Sequence, residues 1–130
     1  MTGPTGEMAG RDAAAQSLGL EVVDVGAGRA TLRMTVTATM LNGHGMCHGG
    51  IVFTLADTAF AHACNSHGPA TVAAAASIDF LAPANEGAVL EAVAVEQHRR
   101  GRTGLYDVVV TTDDGTVIAR FHGRSHQLQA

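Results

Sequence analysis

The feature that most constrains the fold is a helical segment that is apolar on almost every side. It spans residues 51–66 and is followed by Gly68 and Pro69, which are typical of a helix end. A helix with no polar face cannot lie exposed on a surface, so other structure must wrap around it. A chain of 130 residues with 46% apolar composition has enough material for one such core and not for two.

Strand patterns flank this helix on both sides. Residues 22–25 and 29–36 precede it, and in the second of these Ala30, Leu32, Met34 and Val36 alternate with polar residues. Four more candidates follow the helix, at residues 71–81, 89–98, 103–112 and 116–126. The links between these four are of hairpin length, which predicts antiparallel neighbours. We therefore predict an α+β domain in which a single curved antiparallel sheet wraps around one long central helix.

The domain organisation follows from the same patterns. We expect residues 1–18 to form an N-terminal tail with a possible short helix at 7–18, and residues 19–130 to form a single domain. The first residues lack the basic start and apolar run of a secretory signal, so we expect a cytoplasmic location. The most apolar stretch, residues 49–64, is interrupted by Asp57 and His62, and a membrane span needs about 20 apolar residues. No membrane association is expected.

The charge pattern bears on possible partners. The chain has no lysine, and its net charge of -4 does not indicate a general nucleic-acid binder. Arg99, Arg100 and Arg102 form the one local basic cluster. It is either an ordinary solvated hairpin end or a source of donors for a phosphorylated ligand.

Asp57 lies in the middle of the central helix among apolar neighbours. A carboxylate without a partner is costly to ionise in such surroundings. Two structural explanations are open: a hydrogen bond to the hydroxyl of Thr54 or Thr58, or a position on a narrow strip that faces solvent. The alternative is catalytic, because groups with perturbed pKa values concentrate at active sites.

Gly49 and Gly50 precede the helix, where N–H groups are unpaired and the helix dipole is positive. Because Gly49 has no side chain, a substrate carbonyl could reach its amide, and such a helix end can stabilise a developing oxyanion. A tight turn would also explain the glycine pair.

The spacing between Gly49 and Asp57 suggests a second subunit. Asp57 follows Gly49 by eight residues, which is about 12 Å along a helix axis, so one carbonyl cannot touch both in one chain. If two copies of the helix run antiparallel across a two-fold axis, Gly49 of one copy meets Asp57 of the other. We therefore predict an obligate homodimer with two shared active sites.

Two other kinds of site are weaker candidates. His44, Cys47 and His48, with His62 or His67, could suggest a zinc site, but their spacing matches no common zinc motif. Cys47 could be a thiol nucleophile beside His48, but adjacent residues rarely aim their side chains at each other, and no acidic partner is evident. We predict no metal and no other cofactor.

The run HGGIVFTLADTAFAHACNS, residues 48–66, resembles the central-helix signature of hot-dog-fold acyl-CoA thioesterases of the phenylacetate-pathway type. The SIDFLAPA segment and the terminal strands fit the same fold. The resemblance implies that Asp57 is the general base or nucleophile and that the Gly49 amide polarises the thioester carbonyl. It also implies that Asn42 positions the reacting water or carbonyl and that His48 lies beside the thioester.

The resemblance further implies an activity. An acyl-CoA, expected to be phenylacetyl-CoA or a ring-hydroxylated relative, would be hydrolysed to free CoA and a carboxylic acid. Gly50 and the three clustered arginines are expected to contact the substrate, while Tyr106, Phe80 and Met46 either line the acyl pocket or belong to the core. Two alternatives remain: a hot-dog hydratase or dehydratase, and a non-catalytic acyl-CoA-binding module. Hot-dog dimers often pair again, so a homotetramer is also expected.

Overall fold

One long helix and a six-stranded sheet make up the body of the fold in residues 5–129, which the computed structural model describes. Residues 1–4, the start of the predicted tail, and Ala130 lie outside this range. The helices are α1 (Gly6–Arg11), α2 (Ala13–Ser17) and α3 (Gly49–Asn65), with a 3₁₀ turn at Ala38–Met40. The strands are β1 (Glu21–Gly26), β2 (Arg29–Thr35), β3 (Thr71–Phe80), β4 (Val89–Arg100), β5 (Thr103–Thr112) and β6 (Val117–Gln127).

The sheet is antiparallel throughout and follows the order β1-β2-β4-β5-β6-β3. All six strands contact α3, which confirms the predicted α+β arrangement of one sheet around one helix. Leu55, Ala56, Ala59 and Ala63 of α3 are completely buried against it. The alternating residues of β2 are buried as predicted, so this strand turns one face to the helix.

The prediction that β3 and β4 are neighbours is wrong. β3 lies at the edge of the sheet beside β6, whereas β4 lies between β2 and β5. The linking segment, residues 81–88, therefore crosses the end of the sheet, and backbone hydrogen bonds hold it along the way. Leu81 N–H donates to Ile118 O, and Gly87 N–H donates to Val36 O. Between these points the link runs past the start of α3, where Cys47 N–H donates to Ala84 O.

The helix ends also differ from the predictions. The possible helix at 7–18 is two short helices separated at Asp12, whose backbone has φ -83° and ψ 84° and whose carboxylate accepts a hydrogen bond from Ala15 N–H at 3.0 Å. An aspartate that caps a new helix in this way ends the preceding one. The central helix begins at Gly49, two residues before the predicted start.

Close contact between α3 and β6 depends on a glycine. The ring of Phe60 is 1% exposed and packs against Tyr106 and Phe121, with ring centroids 5.4 and 5.7 Å apart. Gly123 faces the same ring, and a Cβ atom added there would lie 2.9 Å from two ring carbons. The sheet can approach the helix at this point only because Gly123 has no side chain.

We expect Gly123→Ala to lower the free energy of unfolding by about 1–3 kcal/mol, because the added methyl group overpacks the core. Gly10→Ala is the matched control. A Cβ at Gly10 meets nothing within 4 Å, and alanine in a helix is favoured over glycine by about 0.5–1 kcal/mol. Urea unfolding measures both. Equal stability of the two variants would show that β6 can move away from Phe60 at no cost.

Candidate active site

The start of α3 leaves one backbone donor free. His48 precedes the helix in an extended conformation, and its Nδ1 accepts a hydrogen bond from Gly50 N–H at 3.1 Å. Within residues 5–129, no acceptor lies within hydrogen-bonding distance of Gly49 N–H. The positive end of the helix dipole is therefore presented through the Gly49 amide. The Gly50 amide, in contrast, is already bonded to His48.

The cap also defines the state of the His48 ring. Because Nδ1 accepts a hydrogen bond from Gly50, the ring proton of the neutral imidazole must be on Nε2. His48 is exposed, so this second nitrogen is available as a donor. The side chain thus fixes the helix start with one nitrogen and can donate to a ligand with the other.

Asn42 holds the glycine-rich loop before the helix. Its Oδ1 accepts hydrogen bonds from His44 N–H at 2.9 Å and from Met46 N–H at 3.3 Å, and its own N–H donates to Met46 O at 2.8 Å. The carbonyl oxygen of the side chain is therefore used by the loop. The Nδ2 amide makes no hydrogen bond within the described residues and remains a donor beside Gly49.

A cavity of about 430 Å³ opens beside Asn42 and Gly49, and His48 is not among the residues that line it. The rest of its wall is largely apolar. The apolar wall comes mainly from Met46, Val52, Phe80, Leu81, Pro83 and Ile118. Phe80 and Met46 thus line the cavity, whereas Tyr106 is 1% exposed and belongs to the core. Sequence patterns did not single out the wall formed by residues 81–84, because it arises from the crossing of the β3–β4 link.

Asp57 lies on the one strip of α3 that the sheet does not fully cover. It is partly buried, while its helix neighbours Ala56 and Thr58 are buried. The hydroxyl of Thr54 donates to Gly50 O at 2.9 Å and that of Thr58 donates to Thr54 O at 2.6 Å, so neither is bonded to Asp57. The explanation by a threonine hydrogen bond is wrong. Burial raises the pKa of Asp57 above its usual value, and the negative charge of Asp12 raises it further.

One chain does not bring Asp57 to the Gly49 amide. Asp57 is not among the residues that line the cavity beside Gly49. The two residues belong to the same helix, and their spacing corresponds to about 12 Å along its axis. The donors and the carboxylate therefore form two half-sites in a single chain.

The arginine cluster lies at the opposite end of the helix. Arg99 and Arg100 end β4, and Arg102 lies in the turn to β5, beside Cys64 and His67. α3 begins at Gly49 and ends at Asn65, and its two ends are about 24 Å apart along the helix axis. The three arginines do not line the Gly49 cavity of their own chain.

Neither the zinc site nor the Cys47 nucleophile is supported in the part of the chain that the structure describes. Residues 5–129 contain no group of three or more His, Cys, Asp or Glu side chains placed to hold a metal ion. Cys47 is buried, and burial raises the pKa of its thiol, which disfavours the nucleophilic thiolate. Over the same residues, no helix has the length and apolarity needed to cross a membrane.

The sequence and the fold of this chain are similar to those of known proteins. A family model described as the thioesterase superfamily matches residues 44–119. The chain belongs to the thioesterase superfamily. Among the members of this superfamily, acyl-coenzyme A thioesterase PaaI of Escherichia coli (strain K12) is 49% identical over 117 residues, which cover 90% of this chain and 84% of that protein.

Solved structures of thioesterase superfamily proteins match the fold closely. The E. coli PaaI protein, from the phenylacetic acid degradation operon, has a TM-score of 0.95 and 46% identity, covering 98% of this chain and 92% of that one. A hypothetical thioesterase protein of Streptococcus pneumoniae TIGR4, solved with coenzyme A, has a TM-score of 0.81 and 25% identity, covering 84% and 88%. The expected hot-dog thioesterase fold is confirmed.

We expect Asp57→Asn to raise the melting temperature at pH 7. A raised pKa means that the folded state binds the Asp57 proton more tightly than the unfolded state. That contribution to stability is present below the ordinary aspartate pKa of about 4 and is lost as the pH rises through the folded pKa. The gain in the variant should therefore shrink as the pH falls towards 4. Asp113→Asn, at an exposed turn position, is the control and should change little. A lower melting temperature for Asp57→Asn at pH 7 would contradict the argument.

Proposed function

We propose that this chain is an acyl-CoA thioesterase that hydrolyses phenylacetyl-CoA or a ring-hydroxylated relative. The observation that carries the proposal is the free Gly49 amide, which lies at the positive end of α3 beside an apolar cavity. The identity to acyl-coenzyme A thioesterase PaaI supports the same activity, and the operon of that relative supports an arylacetyl substrate. In this proposal residues 19–130 are the catalytic domain, residues 1–18 are an appended segment, and the protein works in the cytoplasm, where CoA thioesters are made and used.

The reaction begins when the carbonyl oxygen of the thioester accepts a hydrogen bond from Gly49 N–H. As the carbonyl carbon is attacked, negative charge develops on that oxygen, and the amide and the helix dipole stabilise it. The Asn42 Nδ2 and His48 Nε2 groups are further donors at the same end of the helix. Because these donors are held in place by the loop and the cap, they need little rearrangement as the reaction proceeds.

The ionised carboxylate of Asp57 drives the attack. As a general base it takes a proton from water, whose oxygen then bonds to the carbonyl carbon. As a nucleophile it bonds to that carbon itself, and water later hydrolyses the mixed anhydride. In both routes the carbon–sulfur bond breaks, CoA leaves as its thiol after protonation, and the acyl group leaves as a carboxylic acid. Neither route requires a metal or a redox cofactor.

We propose a homodimer in which Asp57 of the partner subunit serves the Gly49 amide. Two surfaces of the chain support this arrangement: the free edge of β3 and the uncovered strip of α3. β3 pairs with β6 on one side only, and its alanines at 73–76 are exposed, as is Val72 at 44%. An exposed apolar edge strand is a template for a further strand. Pairing β3 with its copy would place the uncovered strips of the two α3 helices side by side and antiparallel.

The same arrangement gives the arginine cluster a role. When Asp57 of one copy lies opposite Gly49 of the other, the C-terminal end of each α3 helix extends beyond the Gly49 cavity of the partner. Arg99, Arg100 and Arg102 would then bind the CoA phosphates of a substrate held by the partner. Two such dimers would pair into a homotetramer, which light scattering can distinguish from a dimer.

The direct test measures free CoA with a thiol-reactive dye over a panel of acyl-CoA thioesters. We expect turnover with phenylacetyl-CoA, and a loss of at least about 100-fold in kcat for Asp57→Asn, since a positioned acid or base contributes that much. Asp113→Asn is the control. Binding of every thioester without CoA release would instead favour an acyl-CoA-binding module. Hydration of an enoyl-CoA without CoA release would favour a hydratase.

A mixing experiment tests the shared site. Gly49→Val blocks the amide and Asp57→Asn removes the carboxylate, so each homodimer should be inactive. A mixed dimer contains one site with both groups intact, so exchange at equal concentration should restore about a quarter of wild-type activity. Each variant mixed with itself is the control. If mixing restores nothing although the subunits exchange, the two groups do not act across an interface.

A further inference from the structure

We propose that Phe80 selects the acyl group by forming an aromatic wall beside the Gly49 amide. Such a wall would favour an acyl group that carries an aromatic ring over an alkyl group of similar size. This inference rests on the proposed thioesterase activity and assigns its specificity to one side chain.

The ring of Phe80 touches the residue that is proposed to bind the carbonyl. A Cβ atom placed on Gly49 would lie 3.1 Å from Phe80 Cζ and 3.4 and 3.5 Å from Cε1 and Cε2. The far edge of the ring therefore points at the Gly49 α-carbon and occupies the space where a side chain would be. Because Phe80 and Gly49 line the same cavity, a carbonyl held there by this amide would share the cavity with the ring.

Phe80 is held in this place by its backbone and not by a packed side chain. It pairs with Ala119 of β6, and the next residue, Leu81, donates its N–H to Ile118 O at 2.8 Å. The ring itself is 54% exposed, in contrast to Phe60 and Phe121, which are 1% and 2% exposed. An aromatic ring that lines a cavity and is not covered by the core has apolar surface available for a ligand.

The available surface suits an aromatic ligand. Aromatic pairs prefer edge-to-face or offset arrangements and gain more than their buried area alone provides, a difference equivalent to about two- to tenfold in rate or affinity. The rest of the cavity wall is largely aliphatic, with Met46, Val52 and Ile118. Within residues 5–129 Phe80 is the one aromatic side chain on this wall, so aromatic selectivity should depend on it.

The test compares kcat/KM for phenylacetyl-CoA and hexanoyl-CoA in wild type, Phe80→Leu and Phe80→Tyr. We expect Phe80→Leu to lower the ratio of the aromatic to the alkyl substrate by about two- to tenfold, and Phe80→Tyr, which keeps a ring, to retain most of the wild-type ratio. Val23→Ala, an exposed apolar residue on β1 at the opposite edge of the sheet, is the control and should keep the ratio. If Phe80→Leu folds poorly, Phe80→Met removes the ring with a similar apolar volume and serves in its place.

Two outcomes would overturn the proposal. An unchanged ratio in Phe80→Leu, whether or not both rates fall, would show that the ring does not discriminate between acyl groups. Dissociation of the dimer in Phe80→Leu, measured by light scattering, would show that the ring serves subunit contact. Failure of the proposed function itself looks different, because wild type would then release CoA from neither substrate.

Discussion

Burial of α3 inside the sheet is the interaction on which the rest of the structure depends. The helix has too little polar surface to face water, and every strand contributes to covering it. Small residues make the fit possible: Ala56, Ala59 and Ala63 on the helix are completely buried, and Gly123 on β6 leaves room for the Phe60 ring. The apolar area removed from water here supplies most of the stability of the domain. Because the sheet surrounds α3, the direction and register of the helix are fixed, and so are the positions of its two ends.

The same wrapping is incomplete at two places, and both belong to the proposed site. The sheet leaves the start of α3 open, so the Gly49 amide has no acceptor in the described chain, and it leaves one strip of the helix partly uncovered, where Asp57 lies. A carboxylate whose pKa is raised lowers stability at neutral pH. In the proposed reaction both groups are used, because negative charge develops beside the amide while the carboxylate takes a proton from water or bonds to the carbonyl carbon. The proposed function therefore relies on groups to which the fold gives no partner within the described residues.

Much of this could be predicted from the sequence, because it depends on local patterns. The alternation in β2, the apolar helix and the turn signals between β4, β5 and β6 each fix an element within a few residues. The sheet order could not be predicted in full: β3 and β4 look like neighbours along the chain, yet the β5–β6 hairpin lies between them. The roles of the site residues remain predictions. Gly49 and Asp57 stood out as residue types, and Asn42 and His48 were expected from the family resemblance. The cavity could not be predicted because it depends on the crossing link, and the role of His48 as a helix cap depends on a ring orientation that no pattern encodes.

The crossing link itself has a consequence for how such a protein can diverge. Its backbone is tied to β6, to the loop before α3 and to β2 by hydrogen bonds that do not involve side chains. Leu81 and Pro83 are exposed and contribute little to the core, yet they form part of the wall of the cavity beside Gly49. Substitutions there can reshape the cavity at small cost to folding. The scaffold therefore separates the residues that make it stable from those that shape the cavity, and a cavity of a different shape can arise without a new fold.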